Sequence, residues 1–366
     1  MDNVFNFPFY AKFALISIGA FAFVCTMYFG QEIIVPLLYA TIFAILLNPL
    51  VNYLVSKRIN RIVAIWITVL STIILVALLV YFISMQLSLF SESYPRLKVK
   101  FSQAILEVVR WASVHFKIKT SGINAWIAES QNDAFSNIGG TMWQALATIN
   151  SILIIVVLIP VYLFMILFYK DLLVEFIRRL FHTTHHVTVF DVLGNSKSII
   201  QKYLVGLLLE AAIIAILNTL GLLLIGIDYA IILGITGALL NVIPYIGGVI
   251  AIALPMIIAF VTKDSSSYAF MVLIVYMIIQ FLDNHFIIPH IVAAKVKINA
   301  LISVIVVLIG RALWGIPGMF LSIPLTAILK VIFDNVEPLK PWGFLLGNIV
   351  PTEKLKFSLA KRRVIK

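Results

Sequence analysis

Two apolar stretches, Tyr229–Val261 and Ile298–Phe333, are too long for one bilayer crossing and too short for two. A hydrocarbon core of about 30 Å needs roughly 20 helical residues at about 1.5 Å each, so either stretch would reach about 50 Å as one straight helix. Both are interrupted near the middle. The first carries Pro244-Tyr245-Ile246-Gly247-Gly248, and the second carries Gly310-Arg311-Ala312-Leu313-Trp314-Gly315-Ile316-Pro317-Gly318. Each break leaves two arms of roughly 15 residues, about half a membrane apiece. Non-helical backbone at membrane depth survives only where protein or a water-filled cavity satisfies its polar groups. Paired broken segments therefore point to a transport site.

The rest of the chain agrees with a membrane setting. Of 366 residues, 62% are apolar and 12% charged, which places the fold class as an all-α polytopic membrane protein. The net charge of +11 is concentrated in short inter-helix loops and in the tail Lys354–Lys366, a pattern that argues for positive-inside topology and against nucleic acid as a partner. The lone cysteine, Cys25, rules out an internal disulfide or a thiolate metal cluster. Residues 1–11 lack the basic start and cleavage pattern of a signal peptide, so the first helix is expected to remain as an anchor.

Continuous apolar runs predict six full spans near Phe13–Phe29, Ile33–Leu54, Ile62–Ile83, Ile149–Tyr169, Tyr203–Ile225 and Tyr268–Ile288. Lys57, Arg58 and Arg61 follow the second span, and Lys170, Arg178, Arg179, Lys197 and Lys202 follow the fourth, whereas the turns Gly30–Glu32 and Gly226–Asp228 hold no Lys or Arg. The charge rule then places both termini in the cytoplasm. Two paths remain open for the broken segments: re-entrant hairpins entering from opposite sides, an inverted repeat, or kinked full spans giving eight crossings. Lys295 and Lys297 fit hairpins better, because full crossings would put them outside. The expected organisation is N-terminal spans (1–83), an extramembrane helical region (84–148), a fourth span (149–169), a cytoplasmic amphipathic segment (170–202), a transport core (203–333) and a basic tail (334–366).

Within residues 84–148, Trp111, Trp126 and Trp143 suit either a headgroup boundary or mutual packing. His182, His185 and His186 lack the carboxylates or cysteines of a closed metal site and read as a solvated face. No metal and no cofactor is expected.

The chain resembles the autoinducer-2 exporter (AI-2E) family of bacterial membrane transporters. The resemblance rests on Asn48-Pro49-Leu50 before Arg61, Asn241-Val242-Ile243-Pro244-Tyr245-Ile246-Gly247-Gly248, Gln280-Phe281-Leu282-Asp283-Asn284 leading to Pro289, and Gly310 through Gly318 ending at Pro324. It implies transport of small molecules or ions across a bacterial cytoplasmic (inner) membrane, by members described as signal exporters or as sodium–proton antiporters, and a homo-oligomer such as a pentamer. The chain departs from the family pattern at Arg311, where a second glycine is usual, near Ala293, another glycine, and at Ala300, a proline.

Ionisable groups inside a bilayer are costly, so each is a candidate for function. Glu210 lies a third of the way along its span and needs a partner or a proton. Gln280, Asp283 and Asn284 share a helical face, with oxygens suited to a hard cation or a hydroxylated solute, and His285 sits beside them. Arg311 suits an anionic or polyol substrate, an ion pair with Glu210 or Asp283, or a lipid headgroup. Asn241, Pro244, Tyr245, Gly247 and Gly248 form the first break and Gly315, Pro317 and Gly318 the second, where freed carbonyls and helix ends create local dipoles.

No GxxxxGK[ST], dinucleotide glycine fingerprint, His-Glu-x-x-His or Gly-x-Ser-x-Gly occurs, so the expectation is a transporter and not an enzyme. Three readings stand: export of a small polar solute or signal, which the resemblance favours; sodium–proton antiport through Glu210 and Asp283; and a non-transporting scaffold or receptor. The hairpin path makes a direct forecast. In a Cys25→Ser background, Lys295→Cys and Lys361→Cys should both be labelled from the cytoplasmic side alone, and exclusive labelling of position 295 from outside would establish eight crossings instead.

Overall fold

The computed structural model describes residues 8–116, 149–242, 247–263, 265, 267–292 and 298–347, and Pro244, Tyr245, Lys295, Lys297, Lys361, Trp126 and Trp143 lie outside them. The described residues contain no strand, only an isolated bridge between Ile298 and Gly347. The helices are α1 (Phe9–Phe29), α2 (Gln31–Ser56), α3 (Arg61–Phe116), α4 (Ile149–Phe168), α5 (Lys170–Arg179), α6 (His186–Ile225), α7 (Ala230–Asn241), α8 (Gly247–Thr262), α9 (Ser267–Leu282), α10 (Ala300–Asn335) and α11 (Lys340–Leu346), with a π-helical segment, Asp283–Val292, continuing α9.

Among the described residues, six helices are long and apolar enough to cross a membrane: α1, α2, the stretch Arg61–Phe82 of α3, α6, α9 with its π-helical continuation, and α10 taken whole. The expected fourth span is α4, which meets α5 at a bend of 68°. That bend falls where the apolar run ends. Lys170 opens an amphipathic helix whose Glu175 accepts from Arg178 and Arg179, bonds that draw its carboxyl down to about 2. Arg61 at the start of α3 pairs with Asp171 in α5 and holds that carboxyl below its ordinary range, and its other nitrogen donates to the Leu167 carbonyl at 3.2 Å. The α2–α3 turn is thus tied to the α4–α5 bend.

Two helices outrun their expected spans. α3 continues without interruption to Phe116, and α6 begins at His186, so one rod of 40 residues, about 60 Å, joins the segment after α5 to the fifth span. Gly226 ends α6 in the left-handed region at φ 77°, and its N–H bonds back to Leu222 and Leu223, an arrangement that a residue with a Cβ rarely tolerates.

Both broken segments double back. α7 and α8 have 12 and 16 residues, about 18 and 24 Å, each short of a full hydrocarbon core. A Cβ added to Gly247 would collide with the Leu240 carbonyl, and one on Gly237 would touch Ala251 at 3.7 Å, so the arms run antiparallel. In α10 the helix is broken at Trp314 (φ −135°, ψ 16°) and Gly315 (φ 63°, ψ −141°). Gly310 and Gly318 would lie about 12 Å apart along an unbroken helix, yet a Cβ on Gly318 would meet the Gly310 carbonyl. The hairpins open in opposite directions. Gln201 of α6 donates to the Ile45 carbonyl of α2 at 2.6 Å, while Val35 near the start of α2 shares a buried cluster with Leu207 further along α6, as expected for antiparallel helices. The first hairpin opens at the Gly226 end of α6, where Lys263 pairs with Asp228 at 3.2 Å. The second opens at the other end, where Asn335 and Val336 line a cavity with Phe181 and Thr188. Asn299 closes that opening: its side chain caps α10 by accepting from Ile302 at 2.9 Å and donates to Leu345 at 2.7 Å.

The second turn depends on Gly315, whose φ and ψ match the first central position of a type II′ turn. Gly315→Ala should lower stability by about 1–3 kcal/mol in a detergent unfolding titration. A variant as stable as the parent would mean that the tip can rearrange.

Candidate functional site

The tips of the two hairpins converge. Val242 from the first and Trp314 from the second pack against one buried cluster containing Val35, Tyr203, Leu204, Leu207 and Leu321. The second tip is held by two polar handles on aromatic rings, which inside a membrane need a partner at their polar end. The Trp314 indole N–H donates to the Met27 carbonyl of α1 at 2.9 Å, and the Tyr39 hydroxyl of α2 donates to the Pro317 carbonyl at 3.1 Å. Tyr39 also stacks on Phe320 at 5.7 Å.

Beside the first tip lies a buried acid. Asp283 is 1% exposed; its Oδ2 accepts from the Asn241 amide at 2.9 Å, and its Oδ1 has no partner among the described residues. Its position follows from Pro289, which supplies no N–H and whose ring displaces the carbonyl four residues back, so the turn widens into the π-helical segment that begins at Asp283. Glu210 on α6 is 6% exposed and within electrostatic range of Asp283 and of Tyr203. Gly248 completes the group. A Cβ there would stand 3.3 Å from the Gln280 Oε1 and 3.5 Å from the Asn241 Oδ1, so amide oxygens from α9 and from the α7 end approach one point beside the second arm.

The structure therefore gathers Glu210, Asn241, Gly248, Gln280 and Asp283, with Gly247 at the tip. It does not gather Asn284, which is exposed: residues 280, 283 and 284 spread over about 100° of helix surface, and the hairpin covers only part of that arc. His285 is exposed too, stacked on Phe281 at 4.3 Å. Arg311, Gly315 and Pro317 are exposed around the second tip, and Arg311 makes no ion pair among the described residues, with Glu210, Asp283 or any other acid. Gly318 is buried against Gly310. Pro244 and Tyr245 lie outside the described residues. Among those residues no three His, Cys, Asp or Glu come together, so a cation here would rely on the two carboxylates with amide oxygens.

Sequence reasoning missed Asn218 and Tyr276. Both are buried, both carry an oxygen without a partner among the described residues, and both approach Gly237, at 3.2 and 3.4 Å from where a Cβ would stand. The signal was present: an Asn and a Tyr well inside apolar runs. An open cavity of about 490 Å³ separates α2, α6 and the π-helical segment, lined by Pro49, Gln201, Gly206, Leu209 and Ile291, and it reaches α6 one residue from Glu210.

A sequence model of one family, described as AI-2E family transporter, matches residues 18–337. The AI-2 transport protein TqsA of Escherichia coli (strain K12) is 26% identical over 332 residues, 89% of this chain and 92% of that protein. YueF of Bacillus subtilis (strain 168), named for transport without a substrate, is 27% identical over 201 residues, 55% of this chain and 54% of its own length. YrrI of the same organism is 33% identical over 130 residues, 36% of each. The chain thus spans about half or less of the last two relatives and nearly all of the first.

The Asn241–Asp283 contact is open to measurement. A double-mutant cycle with Asn241→Ala and Asp283→Ala should return a coupling of about 1 kcal/mol, in the range of polar contacts between helices in membranes. Strictly additive effects would mean that the pair is adjacent without being coupled.

Proposed function

Because the chain belongs to the AI-2E transporter family, we propose that it moves a small polar solute across the bilayer, with Asp283, Asn241, Gln280 and Glu210 as the binding group and the two hairpins as gates. One observation carries this reading: hairpins that open in opposite directions bring their tips to one cluster, beside a buried carboxylate with an unused oxygen. Such a carboxylate is expensive in a low-dielectric setting unless it meets a proton, a cation or a donor. Hydroxyls of a polar solute supply donors, and displacement of one hairpin tip would open the group to one side at a time. The export of a signal of the kind named for TqsA is the finer reading, and it rests on that similarity. The Arg311 fork at the second tip would meet an anionic or polyol solute on its way.

The proximity of Glu210 and Asp283 supports a second reading, sodium–proton antiport, in which two acids exchange a proton for a hard cation held by carboxylate and amide oxygens. In either case the setting we infer is a bacterial cytoplasmic membrane, both termini inside, with a homo-oligomeric assembly. A scaffold would move nothing, so reconstituted flux separates it from both.

Purified protein in liposomes with imposed pH and Na⁺ gradients tests this. Glu210→Gln should abolish the response of flux to a proton gradient while assembly is retained, and Asp283→Asn should lower solute or Na⁺ flux at least about tenfold, as expected for loss of one charge-assisted contact. Flux with unchanged pH response in the Glu210 variant would make that residue structural.

A further inference from the structure

Away from the hairpin tips, a second cavity of about 450 Å³ opens between α2, α4, α5, the first turns of α6 and the end of α10. Its size is that of a small-ligand site. Its wall is aliphatic and aromatic, with Ile45, Leu167, Val174, Phe190, Ile200 and Ile328 among the lining residues. Three uncharged polar side chains interrupt that wall: Thr41, whose hydroxyl donates to the Leu37 carbonyl at 2.8 Å, and two others. Asn48 and Ser196 are 6% and 8% exposed, and the Asn48 Nδ2 and the Ser196 Oγ have no hydrogen-bond partner among the described residues. A buried amide or hydroxyl left unpaired costs about 1–3 kcal/mol, a cost that a polar group bound in the cavity would remove.

The same cavity carries two cations, Lys170 from α5 and Lys197 from α6. Neither forms an ion pair among the described residues; Asp171, the acid next to Lys170, is taken by Arg61. Apolar wall, two buried hydrogen-bonding groups and two ammonium groups together describe an amphiphile: a hydrocarbon tail, a polar linkage and an anionic head. We propose that this cavity is a binding site for an acidic amphiphile, its head at Lys170 and Lys197, its carbonyl or hydroxyl at Asn48 and Ser196, and its chain among the apolar residues. Charge argues against the chain's own end as occupant, since residues 354–366 include Lys354, Lys356, Lys361, Arg362, Arg363 and Lys366, which the two lysines would repel. An anionic phospholipid meets the whole description, and a free fatty acid, which has no separate linkage, meets only its head and tail.

The test uses full-length protein in a neutral detergent and counts bound molecules by native mass spectrometry, with phosphatidylglycerol, palmitate and phosphatidylcholine as separate probes. One phosphatidylglycerol or palmitate per chain should be retained, at least about tenfold more tightly than phosphatidylcholine, and the tighter of the two identifies the source. Neutralising both cations, Lys170→Gln with Lys197→Gln, should weaken retention about 30-fold. Filling the cavity with Ile328→Trp, or with Val174→Trp should the first variant fail to fold, should abolish it. Equal retention of phosphatidylcholine, retention indifferent to the cavity-filling variant, or complete displacement by inorganic phosphate would each overturn the proposal. Because binding is read without flux, the result stands apart from the transport reading.

Discussion

Everything in this molecule follows from the need of a peptide backbone in hydrocarbon to satisfy its own hydrogen bonds. A helix does so along its length, and its ends normally reach water or headgroups. Here two chain reversals occur far from the ends of the neighbouring rods, so their freed groups must be met by protein. The structure meets that demand with side chains from other helices: the Tyr39 hydroxyl serves the Pro317 carbonyl, and glycines at positions 247, 310 and 318 let the arms approach so closely that little space remains to be filled. The long rod α6 is the common support, since both hairpins and the π-helical segment pack against it.

The end of the first arm has an electrostatic consequence. Asn241 ends α7, and its amide is the single described donor to Asp283, so the geometry of the break and the state of the acid are linked through one hydrogen bond. Opening the hairpin by a few ångströms would leave the carboxylate with neither partner nor water unless something enters. Under the proposed transport reading, movement of the tip would accompany exchange of a solute held at Asp283, which is the minimum that alternating access requires.

Much of this was legible from residues alone, because length and proline or glycine content are one-dimensional properties. The stretches 229–261 and 298–333 announce their reversals by being half a crossing too long, and Glu210 and Asp283 stand out as acids in apolar runs. Geometry that depends on partners distant in sequence was not legible. Nothing near Trp314 specifies Met27 as its acceptor, and the spacing of Gln280, Asp283 and Asn284 could not say which part of their shared face a hairpin would cover. The continuity of α6 from His186 was hidden for another reason: its first turns are polar and read as a separate segment, whereas hydrogen bonding along a helix ignores the point at which hydropathy changes.

The bond from the Trp314 indole to the Met27 carbonyl gives the first helix a mechanical meaning. α1 buries none of its residues within the chain, so its tilt answers mainly to the thickness and lateral pressure of the surrounding lipid. Its far end nevertheless holds the turn of the second hairpin. If the second tip is the gate proposed above, thinning or stretching the bilayer would exert a torque on a lever whose short arm ends there, and the elastic state of the membrane would be one of the forces acting on it.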